Sequence, residues 1–190
     1  MTAPVGGVKI CKCPIVSGHT LRFRDAVVHD APFILSLRTD VEKSKYLSSS
    51  PNNVARQEEW LLTYRQAPDH AYFIIEDRSG EALGTVRLYD PRERSFCWGS
   101  WIIKHGAPAS VAIESALMVY TYALDHLGFE SAHFDVRKKN AHVWRFHERF
   151  GATRVAETDV DYLYEIAAER IRSSLTRYQK YLPSGVTIGS

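Results

Sequence analysis

Cysteine is scarce in these 190 residues, and long apolar runs are missing altogether. The three cysteines are Cys11, Cys13 and Cys97. An odd count, with two members separated by one residue, suits neither a disulfide framework nor a zinc pair, so free thiols in a reducing compartment and no metal are expected. No apolar run approaches the ~20 residues that span a bilayer, and the N-terminus lacks the charged segment and apolar stretch of a signal peptide. A soluble, cytoplasmic protein with no membrane partner is expected. The formal net charge is only +2. With no basic stripe carrying interleaved aromatics, nucleic acid is disfavoured as a partner. What is present is a globular balance, 45% apolar and 24% charged, in a length that suits one domain with a sizeable core.

The patterning changes along the chain. Residues 1–18 are rich in Gly, Pro and small side chains and read as an extended lead-in. Leu21 and Phe23 alternate with Arg22 and Arg24, predicting a strand over 20–25. Asp30 is placed to cap a helix holding Pro32, Phe33, Ile34 and Leu37. The breaker at 48–53 precedes a second helix marked by Trp60, Leu61 and Tyr64. Residues 71–76 and 82–89 flank Asp-Arg-Ser-Gly as a hairpin, Asp90-Pro91 breaks the second strand, and 95–104 gives a third. From residue 111 to 127 the period turns helical, with Gly128 as the stop. A strand over 131–136 puts Ala132, Phe134 and Val136 on one face and His133 and Asp135 on the other. A helix over 141–150 ends at Gly151, a strand closes at 160–166, and a helix covers 169–181. Antiparallel strands followed by strand, helix, strand imply a mixed α/β sheet with one parallel crossover.

The run Asp135-Val136-Arg137-Lys138-Lys139-Asn140, followed by His142 to Ala152 (HVWRFHERFGA), resembles the last strand and helix of the GCN5-related N-acetyltransferase (GNAT) family. Asn140, Phe146, Glu148, Arg149, Phe150 and Gly151 fit the family pattern, and the likeness covers about residues 20–167. It implies a central twisted sheet of about seven strands, antiparallel in its first half with a splayed parallel junction, flanked by helices. Residues 19–167 would be the acetyltransferase domain, and 168–190 a C-terminal helix and tail.

The same resemblance implies acetyl-CoA as cosubstrate, its amide-rich arm lying along the free backbone edge of Ile102, Ile103 and Lys104. Asn140 would face the arm from the other side, with Val143 and His147 further along its helix; alternatively Asn140 is a plain helix N-cap. The pyrophosphate would sit on the loop Ala107-Pro108-Ala109-Ser110-Val111-Ala112 at a helix N-terminus, binding through Ala109, Ser110, Val111 and Ala112. The family's loop glycines are replaced here by Ser110 and Ala112, and no Arg or Gln opens the loop. Lys104 or His105 would replace lost charge or simply face solvent.

His147 stands where the family commonly has an acidic Tyr, which implies a catalytic acid that protonates the leaving thiolate; an ordinary helix-surface histidine is the other reading. Cys97 occupies the position of a common family base and reads as a small apolar filler, leaving water, Asp135 or His133 to move the proton. The N-terminal half, with Arg38, Tyr46, Glu58, Glu59 and Trp60, resembles two branches, one acetylating nucleotide-linked amino sugars and the other ribosomal-protein N-termini. The spacing to residues 68–73 favours the sugar branch. A small-molecule amine is therefore expected, with Arg38, Arg87, Tyr89 and Trp101 as acceptor contacts, a protein N-terminus as the runner-up, and a non-catalytic binding module as a third reading. The 170–190 tail either covers its own sheet or pairs with a second copy, leaving a homodimer open.

Overall fold

The computed structural model describes residues 7–40 and 52–189. Its strands are β1 (Ile15–Ser17), β2 (Leu21–Asp25), β3 (Ala71–Asp77), β4 (Ala82–Arg92), β5 (Ser95–Ile103), β6 (Ser131–Arg137), β7 (Thr153–Glu157), β8 (Asp161–Ala167) and β9 (Thr187–Gly189). The helices are α1 (Ala31–Thr39), α2 (Val54–Gln66), α3 (Ala109–Thr121), α4 (Ala141–Arg149) and α5 (Ala168–Arg177). All nine strands form one sheet in the order β7-β8-β6-β5-β4-β3-β2-β1-β9. Only the β5–β6 pair among them is parallel.

Both faces of the middle of the sheet are covered, and β3 records it. Tyr72 and Ile74 pack with Ile34 of α1 and with Leu61 and Tyr64 of α2. Phe73 and Ile75 face the larger core, where α3 lays Leu117 and Tyr120 and α5 lays Ile171. A strand buried on both faces needs a continuous apolar run, which is what Ala-Tyr-Phe-Ile-Ile supplies. The alternation expected over 131–136 holds, since Ala132, Phe134 and Val136 all join the larger core. Buried Glu114 of α3 accepts bonds from the Thr20 and Leu21 amides at 2.7 and 3.0 Å, tying the helix to the turn before β2.

Four sequence expectations are corrected. The sheet has nine strands rather than about seven, because the three-residue β1 and β9 and the exposed β7 also pair. Asp90-Pro91 does not break β4. The strand runs on to Arg92, with a register shift between Tyr89 and Arg92 that absorbs the proline where no ladder donor is needed. Asp30 does not cap α1 with its side chain; its carboxylate accepts from Val27 N at 2.7 Å and pairs with Arg24 at 2.8 Å. The helix predicted to reach residue 127 does so, but Tyr122–Leu127 is wound as a π-helix before Gly128. Tyr46 and the Ser48-to-Pro51 part of the breaker lie outside the described residues. Asn53 caps α2, its side chain accepting from Arg56 N at 3.1 Å.

Candidate active site

The site begins where two strands part. β5 and β6 pair at Ser95–Ser131, Phe96–Ala132 and Cys97–His133, and the pairing ends there although β5 runs on to Ile103 and β6 to Arg137. A bulge helps to turn β5 away. Thr85 pairs with Ile102 and Arg87 with Gly99, so Ser100 and Trp101 lie opposite the single residue Val86. Ser100 takes φ +46, and its carbonyl is held by the buried Thr85 hydroxyl at 2.8 Å. Close approach here also explains Gly84, where a Cβ would stand 2.4 Å from the Ile102 carbonyl.

Lys104 N donates to Leu83 O at 2.8 Å. By the alternation of an antiparallel pair, Ile102 then faces β4, while the Trp101 and Ile103 amides face the gap with no strand to bind. A cavity of about 620 Å³ opens on this edge, lined by residues 101–109, Ala112, 139–143 and Phe146. Ile102, Ile103, Lys104, Ala109, Ala112, Asn140 and Val143 therefore come together as the sequence proposed. Asn140 is the N-cap residue of α4, as one reading had it, but its side chain makes no capping bond, and it lines the cavity. The Lys104 ammonium is engaged by Glu81.

Three expected cofactor residues, Val111, Ser110 and His147, are placed differently. Val111 is buried in the core and its amide donates to Pro108 O at 3.0 Å, so it offers the cavity nothing. Ser110 does not line the cavity with its side chain. What remains for an anion are the Ala109 and Ser110 amides, which precede the first intrahelical donor of α3. The loop also holds a glycine one position ahead of the stretch matched by sequence. Gly106, at φ +80, stands in a turn closed by Ala107 N donating to Lys104 O. Lys139, His142 and Phe146 complete the lining; sequence reasoning gave them no site role, although Lys139 is Asn140's neighbour and Phe146 lies in the family motif.

A second cavity of about 280 Å³ adjoins the first and shares Trp101, Asn140 and Val143 with it. Arg38, Tyr89, Ser100, Asp135, Arg137 and His147 are among its lining residues, so the three expected acceptor contacts, Arg38, Tyr89 and Trp101, meet in one hollow. The Trp101 ring is fixed by Nε1 donating to Ser115 Oγ at 3.1 Å. Arg87 stands behind Tyr89, between its ring and that of Trp60 at 4.8 and 5.2 Å.

His147 lines this second cavity rather than the first, and it is not a surface histidine. It is 5% exposed, packed against Phe134 at 4.3 Å and Trp98 at 5.2 Å between ring centroids. Burial pushes its pKa down to about 3. The ring is neutral at physiological pH, so the imidazolium acid expected from sequence is not available there. Its Nδ1 is buried without a hydrogen-bond partner among the described residues. Cys97 behaves as the filler expected, with burial pushing its thiol up to about 11. An unpaired strand edge and an uncommitted Asn140 side chain border the same cavity, which is the fit that an amide-rich thioester cosubstrate requires.

The comparisons with known proteins agree. The family model described as acetyltransferase (GNAT) domain matches residues 20–153. The structure of apo FdhC, a nucleotide-linked sugar GNAT, is 35% identical, with a TM-score of 0.79 over 87% of this chain and 97% of its own. A GCN5-related N-acetyltransferase from Brucella melitensis is 18% identical, with a TM-score of 0.73 over 87% and 84% of the two chains. The spermidine/spermine N-acetyltransferase SpeG from Vibrio cholerae is 18% identical, at 0.65 over 81% and 97%. These last two show the fold alone. No curated protein matches the chain. The chain belongs to the GNAT family and is an N-acetyltransferase.

Proposed function

We propose that the chain moves an acetyl group from acetyl-CoA to the primary amine of a nucleotide-linked amino sugar. The observation that carries the transfer is the meeting of two cavities at Trp101, Asn140 and Val143, one long and edged by free amides, the other small and polar. Acetyl-CoA supplies the activated acetyl group. The Trp101 and Ile103 amides and the Asn140 side chain hold its arm, and the start of α3 with Lys139 and His142 receives the phosphates. A backbone amide aimed into the gap polarises the carbonyl where it is dry, and His147 packs against the reacting end as a neutral ring.

The acceptor reading is supported by likeness to FdhC and by the cations beside the small cavity. Arg38 lines it, and Arg87 has no carboxylate partner among the described residues, its Nε being buried and unbonded. Burial lowers the Arg87 pKa, as expected of a guanidinium held without a counter-ion. The diphosphate of a sugar nucleotide would supply that charge, with bidentate geometry suited to arginine.

The test is turnover of a nucleotide-linked amino sugar against short peptides, beside the melting temperature with saturating acetyl-CoA. Preferred acetylation of the sugar, lost in Arg87→Ala with acetyl-CoA stabilisation intact, is the expected result. Preferred turnover of peptides overturns the acceptor reading, and no thermal shift with millimolar acetyl-CoA overturns the cosubstrate. His147→Ala is expected to keep the thiolate-protonating step, and a pH-dependent loss of that step would restore the acid role.

A further inference from the structure

Asp135 occupies a position that the acetyl-donor side of the site does not use. It lies on β6 two residues beyond the last β5–β6 pair, Cys97–His133, where the strands begin to part. Its side chain lies on the face opposite the core, with Tyr89 and Cys97 as its electrostatic neighbours. Among the described residues it is the one carboxylate that lines the small acceptor cavity.

Asp135 also lines a groove of about 420 Å³ that shares Tyr89, Phe134 and Asp135 with that cavity. Asp135 is exposed, and its side chain therefore stands where the small cavity meets this groove and solvent. Two nearby carboxylates are committed, Asp90 to Arg92 at 2.6 Å and Asp161 to Arg137 at 3.0 Å. The Asp135 carboxylate has neither a hydrogen bond nor an ion pair among the described residues.

The groups facing it come from every element around the junction. They are Tyr89, Asp90 and Arg92 of β4, Cys97 of β5, His133 and Arg137 of β6, Asp161, Tyr164 and Glu165 of β8, Arg38 of α1 and His147 of α4. Burial raises the pKa values of Tyr89 and Cys97, so both keep their protons at neutral pH. Burial holds His147 neutral. An incoming primary amine arrives as ammonium and must lose a proton before it can attack.

We propose that Asp135 is a catalytic residue of the acceptor half, its carboxylate receiving the ammonium group and taking the first of its protons. The proposal rests on the acceptor reading above only for the choice of acceptor. The ammonium passes one proton to Asp135. The freed lone pair forms the C–N bond at the thioester carbonyl as the C–S bond breaks, its electrons leaving on sulfur. A second nitrogen proton ends on that sulfur, and Asp135 releases its own into the adjoining groove. Nothing is oxidised or reduced, and the net products are amide, free thiol and one proton.

The experiment compares wild type with Asp135→Asn and Asp135→Glu from pH 6 to 9 on three acceptors: a nucleotide-linked amino sugar, spermidine and a short peptide. Asp135→Asn is expected to lower kcat/KM at pH 7 by roughly 10²–10⁴-fold, the range of general-base contributions. Its residual rate should climb about tenfold per pH unit as the free amine becomes populated. Asp135→Glu should recover part of the loss, and acetyl-CoA should raise the melting temperature equally in all three proteins. Asp135→Asn within threefold of wild type, with the same pH profile, overturns the proposal. Wild type acting only on spermidine or peptide overturns the nucleotide-sugar reading and leaves the Asp135 comparison valid on that acceptor. Glucosamine and N-acetylglucosamine titrated into the CoA-saturated chain ask the same question without turnover. Preference for the charged amine that Asp135→Asn abolishes supports the role, and equal binding of both by wild type overturns it.

Discussion

At the scale of single residues, His147 shows how far the surroundings of a side chain override its type. The sequence places it on a helix where a surface or catalytic histidine is reasonable. The fold encloses it among Trp98, Phe134 and Phe146, and none of those contacts is local in sequence except Phe146. Its folded-state pKa of about 3 lies below the ordinary 6.5, so between those values the unfolded chain binds a proton that the folded chain refuses. Stability is then untouched above pH 6.5 and falls as pH drops through that window. At pH 5 the loss from this residue is about 2 kcal/mol. Urea midpoints at pH 7 and pH 5 should therefore separate less in His147→Leu than in wild type. Asn140, Arg38 and Trp101, which line the cavities, were legible as candidates because the motif and spacing mark them. The orphaned ring nitrogen and the uncommitted carboxylate of Asp135 were not, because a missing partner is a property of the folded neighbourhood.

At the scale of elements, legibility follows burial pattern. β6 announces itself by its strict alternation, and β3 and α3 by their long apolar runs, buried almost without a break. β7 does not, since all five of its residues are exposed and no alternation survives. The bulges at Asp90 and Ser100 carry positive φ in non-glycine residues, a conformation no composition rule predicts. Two element-scale changes test what holds the site. A Cβ at Gly106 would meet nothing within 4 Å, so Gly106→Ala strains only the dihedral. It should cost about 1 kcal/mol and weaken acetyl-CoA binding, read by titration calorimetry. Glu114→Ala removes the acceptor shared by the Thr20 and Leu21 amides inside the protein, and should cost on the order of 3 kcal/mol in urea unfolding. Acetyl-CoA affinity should survive that change, because Glu114 lines neither cavity.

For the whole molecule, the strand order brings the two cavities together at the parallel β5–β6 pair. The crossover was readable from strand, helix, strand. The parting of β5 from β6 was not, because hydrophobic period says which face a residue takes and nothing about where pairing stops. Only the family likeness supplied it. Acetyl-CoA at about 100 times its dissociation constant should stabilise the fold by about 2.7 kcal/mol, and in a chain of this size that raises the melting temperature by roughly 5–10 °C. Differential scanning calorimetry at rising ligand concentration measures it.

The free edge of β5 has one more consequence. If the cosubstrate is read through the amides of Trp101, Ile103, Ala109 and Ser110, the information for binding it is written in main-chain atoms that every residue except proline carries. An alanine scan of that edge would then return a nearly silent map, and the loop is free to drift in sequence while its shape is kept, as Ser110 and Ala112 in place of glycines suggest. Proline is the substitution that speaks. Ser110→Pro lies in the first turn of α3, where the helix loses no bond of its own, so it should leave folding within about 0.5 kcal/mol of wild type while deleting one donor to the ligand.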